Sequence, residues 1–294
     1  MMKLLMGKRA ICRSALIILL IVLCSAASRA EHLVGIAIAP AATWQLDTLS
    51  YTRSLPGIAG EIGLAYQFQY HAFLLQTGAY FGITTLRQGV DSMYIGENSI
   101  LRNRVDRMLA WDASIPLMIG FQIDGKSQNQ QAIQTFTILK QSYYATAGVK
   151  LTITSNATTS QRGTMAVREE DDRYYEDYHH AFLDAHTIHT KGGMSISPDL
   201  RACMEIGTQI KVSHYDKVGG VNPTLQIGLF AEYSVIGSHP TNYTDKHTAS
   251  HADVALQHVY APYINQKFNI NHLYAGIRVK WLLELHRNMF HWSY

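Results

Sequence analysis

Between Leu225 and Val235, apolar and polar residues alternate. Leu225, Ile227, Leu229, Ala231, Tyr233 and Val235 are separated by Gln226, Gly228, Phe230, Glu232 and Ser234. A period of two sends successive side chains to opposite faces of a strand; a helix face needs a period near four. Glu232 then lies on the face opposite a row of apolar neighbours. Which of the two faces meets water decides what the chain can fold into.

The pattern recurs along the chain. In 272–285, Leu273, Ala275, Ile277, Val279, Trp281, Leu283 and Leu285 oppose Gly276, Arg278, Lys280 and Glu284. In 200–212, Leu200, Ala202, Met204, Ile206, Ile210 and Val212 oppose Arg201, Glu205, Gly207, Gln209 and Lys211. The segments 143–154, 111–123, 73–85 and 58–70 behave alike, and 32–44 does so more weakly because both of its faces are apolar or small. Together these make eight candidate strands of roughly 10–14 residues, against a mode near 5–6 in soluble sheets and about 9–11 for a tilted membrane-spanning strand.

The composition of the polar faces separates the two polarities. Gly63, Gly78, Gly82, Gly120, Gly148, Gly207, Gly228 and Gly276 all fall on the charged side. The interior of an eight-stranded barrel is only just filled by side chains, so small residues belong in such a lumen more than on a water-exposed exterior. Aromatics gather towards the ends of the apolar faces (Tyr66, Phe68, Tyr70, Trp111, Tyr143, Tyr233, Trp281), where membrane girdles would lie. After residue 30 no apolar run is long enough for a membrane helix, and a closed barrel is the other structure that satisfies its backbone inside a bilayer. The expected fold is all-β: an eight-stranded antiparallel up-and-down transmembrane β-barrel with long extracellular loops. Glu232 would point into the lumen and the Leu225 face at lipid. A soluble lipocalin-like barrel is the inverted alternative.

The connections run roughly 45–57, 71–72, 86–110, 124–142, 155–199, 213–222 and 238–271. Outer-membrane barrels alternate long outer loops with short periplasmic turns. The fourth connection is too long for that rule, and its 135–139 part reads as an extension of the following strand.

Residues 1–30 read as a cleaved signal peptide, leaving 31–294 as one barrel domain. Lys3, Lys8, Arg9 and Arg13 precede an apolar run from Ala15 to about Ala27, and Ser28-Arg29-Ala30 offers small residues at the cleavage positions. Cleavage removes five basic residues and no acid, leaving 20 basic against 22 acidic, a net charge of −2. The basic excess belongs to the leader, and no nucleic-acid partner follows. Cys12 and Cys24 lie in the leader, so Cys203 has no intramolecular partner. Acylation of Cys24 is the alternative reading, with Leu23 bulky for it.

The segments GEIGLAYQFQY and LLQTGAYFG (within 60–82), SIPLMIGFQ (114–122), YYATAGVKL (143–151) and HLYAGIRVKW (272–281) resemble the small outer-membrane β-barrel proteins of the Bacteroidetes, the family with the PorT-type secretion component. The resemblance covers most of 32–285. It implies an eight-stranded outer-membrane barrel without a general catalytic set, exported through a cleaved signal. The partners it implies are outer-membrane lipid, the barrel-assembly machinery during biogenesis, and envelope or secretion proteins. The chain departs from the family in its His-rich outer connections and in the alternating Phe290, Trp292 and Tyr294, which resemble a barrel-assembly signal.

Three constellations bear on chemistry. Glu61, Lys150, Arg201, Glu205, Lys211, Glu232, Arg278, Lys280 and Glu284 share the lumen parity. Buried charges must pair or be hydrated, so the set reads as a salt-bridged plug, with a narrow polar path for small solutes as the alternative. Asp171, Asp172, Glu176, Asp177, His179, His180, Asp184, His186 and His189 crowd 169–189, with ligand-type side chains but no established metal spacing, and read as a solvated loop. His239, Ser250, His251 and His258 are the candidates for a lipid-modifying enzyme, without a motif. No cofactor, catalytic or metal residues are assigned. The expected role is structural or interactive, accessory to secretion or envelope assembly.

Overall fold

The computed structural model describes residues 30–46, 52–90, 93–94, 99–132, 135–168, 182–214, 223–237, 240–246 and 269–285. Its regular structure is antiparallel sheet in twelve strands: β1 (Glu31–Gln45), β2 (Thr52–Leu55), β3 (Gly57–Tyr70), β4 (Phe73–Val90), β5 (Met93–Tyr94), β6 (Ser99–Ala132), β7 (Thr135–Arg168), β8 (Phe182–Ile196), β9 (Asp199–His214), β10 (Pro223–Ser234), β11 (Pro240–Lys246) and β12 (His272–Glu284). Residues 1–29 and 286–294, with the leader and the aromatic terminus, lie outside the described residues, as do 169–181, 238–239 and 247–268.

Eight strands close a ring in the order β1, β3, β4, β6, β7, β9, β10, β12. The seam is the β1–β12 ladder, in register from Leu33 opposite Glu284 to Gln45 opposite His272. Each ring strand pairs with the one before and after it in the chain, an up-and-down barrel as expected. The two-residue turn His71-Ala72 joins the paired Tyr70 and Phe73, with His71 in the left-handed region at φ 51°. It marks one end of the barrel, called here the near end, where β1 also begins and β12 finishes.

The connections differ from expectation. Much of what reads as long loops is strand. β6 and β7, each 34 residues long, stay paired from Ser99 opposite Val167 to Ala132 opposite Thr135. At the near end this turns the 124–142 connection into a hairpin that outruns the ring. At the far end β7 changes partner, from β9 (Thr152 opposite Asp199) to β8 (Ala157 opposite Met194). β8 and β9 are almost one strand, interrupted at Ser197-Pro198, where proline has no N–H to donate to a ladder. β11 adds to β8, and β2 to the far end of β4. The far rim is therefore lopsided: a sheet of β2, β4, β6, β7, β8 and β11 rises on one side, while β1 and β12 stop at Gln45 and His272.

The two faces are inverted relative to a soluble barrel. All eight ring strands carry exposed large apolar residues, among them Ile36, Ile62, Phe81, Ile119, Leu151, Ile206, Leu229 and Ile277. Most charged residues of the alternate positions are buried, and Glu61, Lys211 and Glu284 are partly so. On β10, Leu229 is 61% exposed and Glu232 2%. A soluble monomer rarely exposes more than a few hundred Å² of contiguous apolar surface. Here the belt encircles the molecule. On β6 it runs from Trp111 to Ile123, roughly 30 Å in height for a strand rising 3.3 Å per residue at a tilt of about 40°.

Glycine serves this geometry in two ways. A Cβ on Gly148 would lie 2.1 Å from the Leu117 carbonyl oxygen and 2.6 Å from Met118 Cα, so β6 and β7 approach more closely than any side chain there permits. A Cβ on Gly228 would lie 2.5 Å from the Tyr144 hydroxyl, so that glycine leaves room for a lumen side chain.

Candidate functional site

The lumen parity set out from the sequence holds. At mid-height Lys150, almost wholly buried, donates from Nζ to Glu61 and to both carboxylate oxygens of Glu232, 2.9 Å each. Arg278 spans three carboxylates: Nη1 to Glu205 Oε2 at 2.9 Å, and Nη2 to Glu232 Oε1 at 2.8 Å and Glu61 Oε2 at 3.4 Å. Lys280 Nζ donates to Glu205 Oε1 and to Gln76 Oε1, both at 2.8 Å. The Tyr144 hydroxyl completes Glu205 at 2.6 Å. The Arg278 guanidinium also lies 4.2 Å from the Phe230 ring centroid. Residues from β3, β7, β9, β10 and β12 thus meet in one charge cluster that ties distant walls together.

Towards the far end Arg201 links this cluster to a second. Its Nη1 is 3.7 Å from Glu232, its Nη2 3.9 Å from Asp112, and its Nε donates to Asp199 Oδ2 at 3.0 Å. The Tyr274 ring lies 4.3 Å from the guanidinium carbon. Asp112 accepts from the Thr84 and Thr154 hydroxyls, each at 2.7 Å. Ser234 Oγ donates to Asp199 Oδ1 at 2.7 Å, and His272 Nε2 stands 3.4 Å from Asp199 Oδ2. Serine and histidine both address the carboxylate, an order unlike a nucleophile handing its proton to a base. Higher still, Arg104 and Asp106 form a buried bidentate pair at 2.7 and 2.8 Å.

Towards the near end the charges give way to amides. Gln226 Nε2 donates to Gln67 and Gln209, both at 2.6 Å, and Gln76 to Gln67 at 2.9 Å. Below them Leu33, Leu74 and Leu282 are fully buried. Lys211 and Glu284, the last two of the sequence-derived set, stand apart from the cluster at the near mouth, with Lys211 Nζ 3.1 Å from Glu284 and 2.8 Å from Glu31.

All nine expected lumen residues therefore lie inside, seven of them in the linked network and two at the mouth. The alternation had already set Asp112, Tyr144 and the four glutamines on the polar faces, outside the charge set. Asp199, His272 and the Arg104–Asp106 pair were left out, and extending the alternation to the strand ends would have found them. Among the described residues no group of three or more His, Cys, Asp or Glu is placed to hold a metal ion. Of the His- and Asp-rich stretch, 169–181 lies outside the described residues, and so do His239, Ser250, His251 and His258.

What this lumen does chemically is close itself. A buried ion is stable only when matched and hydrogen-bonded, and here each mid-lumen cation reaches at least one carboxylate directly. The side chains that pair here reach across the lumen from several walls.

Neither a known protein family nor a curated protein matches the chain. Among solved structures it is similar to the translocator domain of autotransporter NalP from Neisseria meningitidis, at 8% identity over 94% of this chain and 96% of that one, with a TM-score of 0.13. A likeness of that size carries no argument about this chain.

Proposed function

We propose that the chain is an outer-membrane β-barrel with a closed lumen and a structural or interactive role, accessory to secretion or envelope assembly. The observation that carries this reading is the inversion of polarity. Apolar side chains project outward from every ring strand, over a height that matches the hydrocarbon core of a bilayer, about 30 Å. A ring has no unpaired edge, which is the condition for β-structure to cross a membrane. On this reading the near end, with its two-residue turn, faces the periplasm, and the lopsided far end faces outward.

The packed lumen supports scaffold over channel. Solutes would have to pass the Arg278–Glu205–Glu232–Lys150 cluster, whose members are held by several walls at once. In planar bilayers the purified full-length protein is expected to give no discrete conductance steps; reproducible steps at the single-molecule level would replace the scaffold reading with a narrow channel. The tall outer sheet is the surface offered for interaction. Shortening the β7–β8 extension, while leaving the ring intact, is expected to lose cross-linked envelope partners, and an unchanged partner set would count against the role.

A further inference from the structure

Among residues with described side chains, three arginines without an acidic partner are gathered at one place on the exterior. Arg87 on β4 and Arg107 on β6 stand directly opposite each other in the ladder. Arg53 on β2 pairs with Gly89, one outward-facing position further along β4. The alternate positions Gln88, Arg104 and Asp106 are buried on the lumen side, and all three arginines are exposed on the outside. A Cβ on Gly89 would come within 3.0 Å of Arg53 Nε and 3.2 Å of its Cγ. The Arg53 side chain therefore lies across the bare backbone of β4, in the direction of β6.

Like charges directly opposite in a ladder repel; Lys150 opposite Arg201 and Lys140 opposite Lys211 offset this with carboxylates, and Arg87 opposite Arg107 has none among the described side chains. The mid-lumen cations each reach a carboxylate, and at the near rim the solvent-exposed Lys140 pairs with Asp124 at 2.9 Å. Among residues with described side chains, Arg53, Arg87 and Arg107 have no acidic partner. Their height is specific too. The stacked pair Phe81–Trp111, ring centroids 5.5 Å apart, ends the apolar belt on β4 and β6. Arg107 lies four residues before Trp111, towards the far rim, roughly 13 Å along the strand and about 10 Å in height. The headgroup zone is about 5–8 Å deep on each side of the hydrocarbon core, and arginine stems bend back towards apolar surface.

We propose that Arg53, Arg87 and Arg107 form a binding site for the phosphate groups of anionic lipid headgroups in the leaflet at the far end of the barrel. The site rests on the membrane reading above. Guanidinium groups suit it because their planar fork meets phosphate oxygens in pairs, and a lipid phosphate at this level relieves the repulsion between Arg87 and Arg107.

The test uses the full-length protein reconstituted in phosphatidylcholine vesicles with a minority of phosphatidylglycerol, beside an Arg53→Gln/Arg87→Gln/Arg107→Gln variant. Flotation is scored first, and retained lipids are then counted by native mass spectrometry. Each arginine near an anionic surface is worth roughly a fivefold preference. The wild type is expected to retain phosphatidylglycerol at least about fivefold over its share in the vesicle, and the variant to fall to within about twofold of that share. Equal retention by both proteins, or no enrichment by the wild type, overturns the site. Loss of the bound lipid on adding inorganic phosphate overturns the assignment to headgroups and makes it a free-anion site. A protein that fails to float removes the membrane reading and this site with it, an outcome read before any lipid is counted.

Discussion

Replacing Arg278 by methionine is expected to lower the stability of the folded barrel by about 3–5 kcal/mol, the usual cost of stranding buried charges. The magnitude follows from what is left behind. Glu205, Glu232 and Glu61 all direct a carboxylate oxygen at this guanidinium, and the first two are almost wholly buried. Lys150 and Lys280 remain, but each already serves its own carboxylates. Urea unfolding in lipid vesicles, followed by tryptophan emission, measures the change. Adding Glu205→Gln to the Arg278→Met variant is expected to restore part of the loss, because it removes one stranded charge. The exposed Lys140–Asp124 pair is the control: Lys140→Met is expected to cost under about 1 kcal/mol, as surface pairs do. Equal effects at Arg278 and Lys140 would mean that the lumen is hydrated and that the cluster does not hold the walls together.

The second large effect is expected on the opposite face. Leu229→Arg places a charge in the middle of the exterior belt of β10, beside Ile227 and two ladder steps from Tyr233 on its own strand. If that belt meets lipid, the substitution costs about 2–4 kcal/mol, the range for arginine at the midplane of a membrane barrel. If the belt meets water, the same substitution at an exposed site stays within about 0.5 kcal/mol. The two environments therefore predict outcomes several-fold apart, and vesicle unfolding titrations separate them. Leu225 is a useful comparison nearer the end of β10, where a smaller penalty is expected because the cost falls with distance from the midplane.

Much of the ring was legible in the sequence because alternation arises wherever the two faces of a strand see different surroundings. Leu229 against Glu232 is the clearest instance, and the expected segments 32–44, 58–70 and 272–285 differ from β1, β3 and β12 by a residue or so at each end. The charge network followed from the same parity, since Lys150, Glu205 and Arg278 each fall on the glycine-bearing side of an otherwise apolar run. The outer strands were not legible, for the converse reason. In 155–168 and 182–196 threonine, serine, glutamine, glycine and histidine occupy both faces, so no period-two signal distinguishes a strand from a loop. The switch of β7 from β9 to β8 depends on pairing between segments distant in the chain, which composition does not report. The arginine patch was hidden for a related reason: Arg53, Arg87 and Arg107 become neighbours only through the registers of β2, β4 and β6.

The central claim is that the outside of the barrel is its lipid face, and tryptophan emission reads it directly. Trp111 and Trp281 are exposed at opposite ends of the belt, and Trp44 stands at the outward parity of β1. In a Trp292→Phe background these are the tryptophans that remain. The measurement is the emission of that protein in vesicles whose acyl chains carry bromine. Strong quenching, greater for bromine near the headgroups than for bromine near the chain ends, is the predicted result. Unchanged emission, with the protein left in the aqueous fraction, would contradict the account and make the exterior belt a surface covered by something other than lipid.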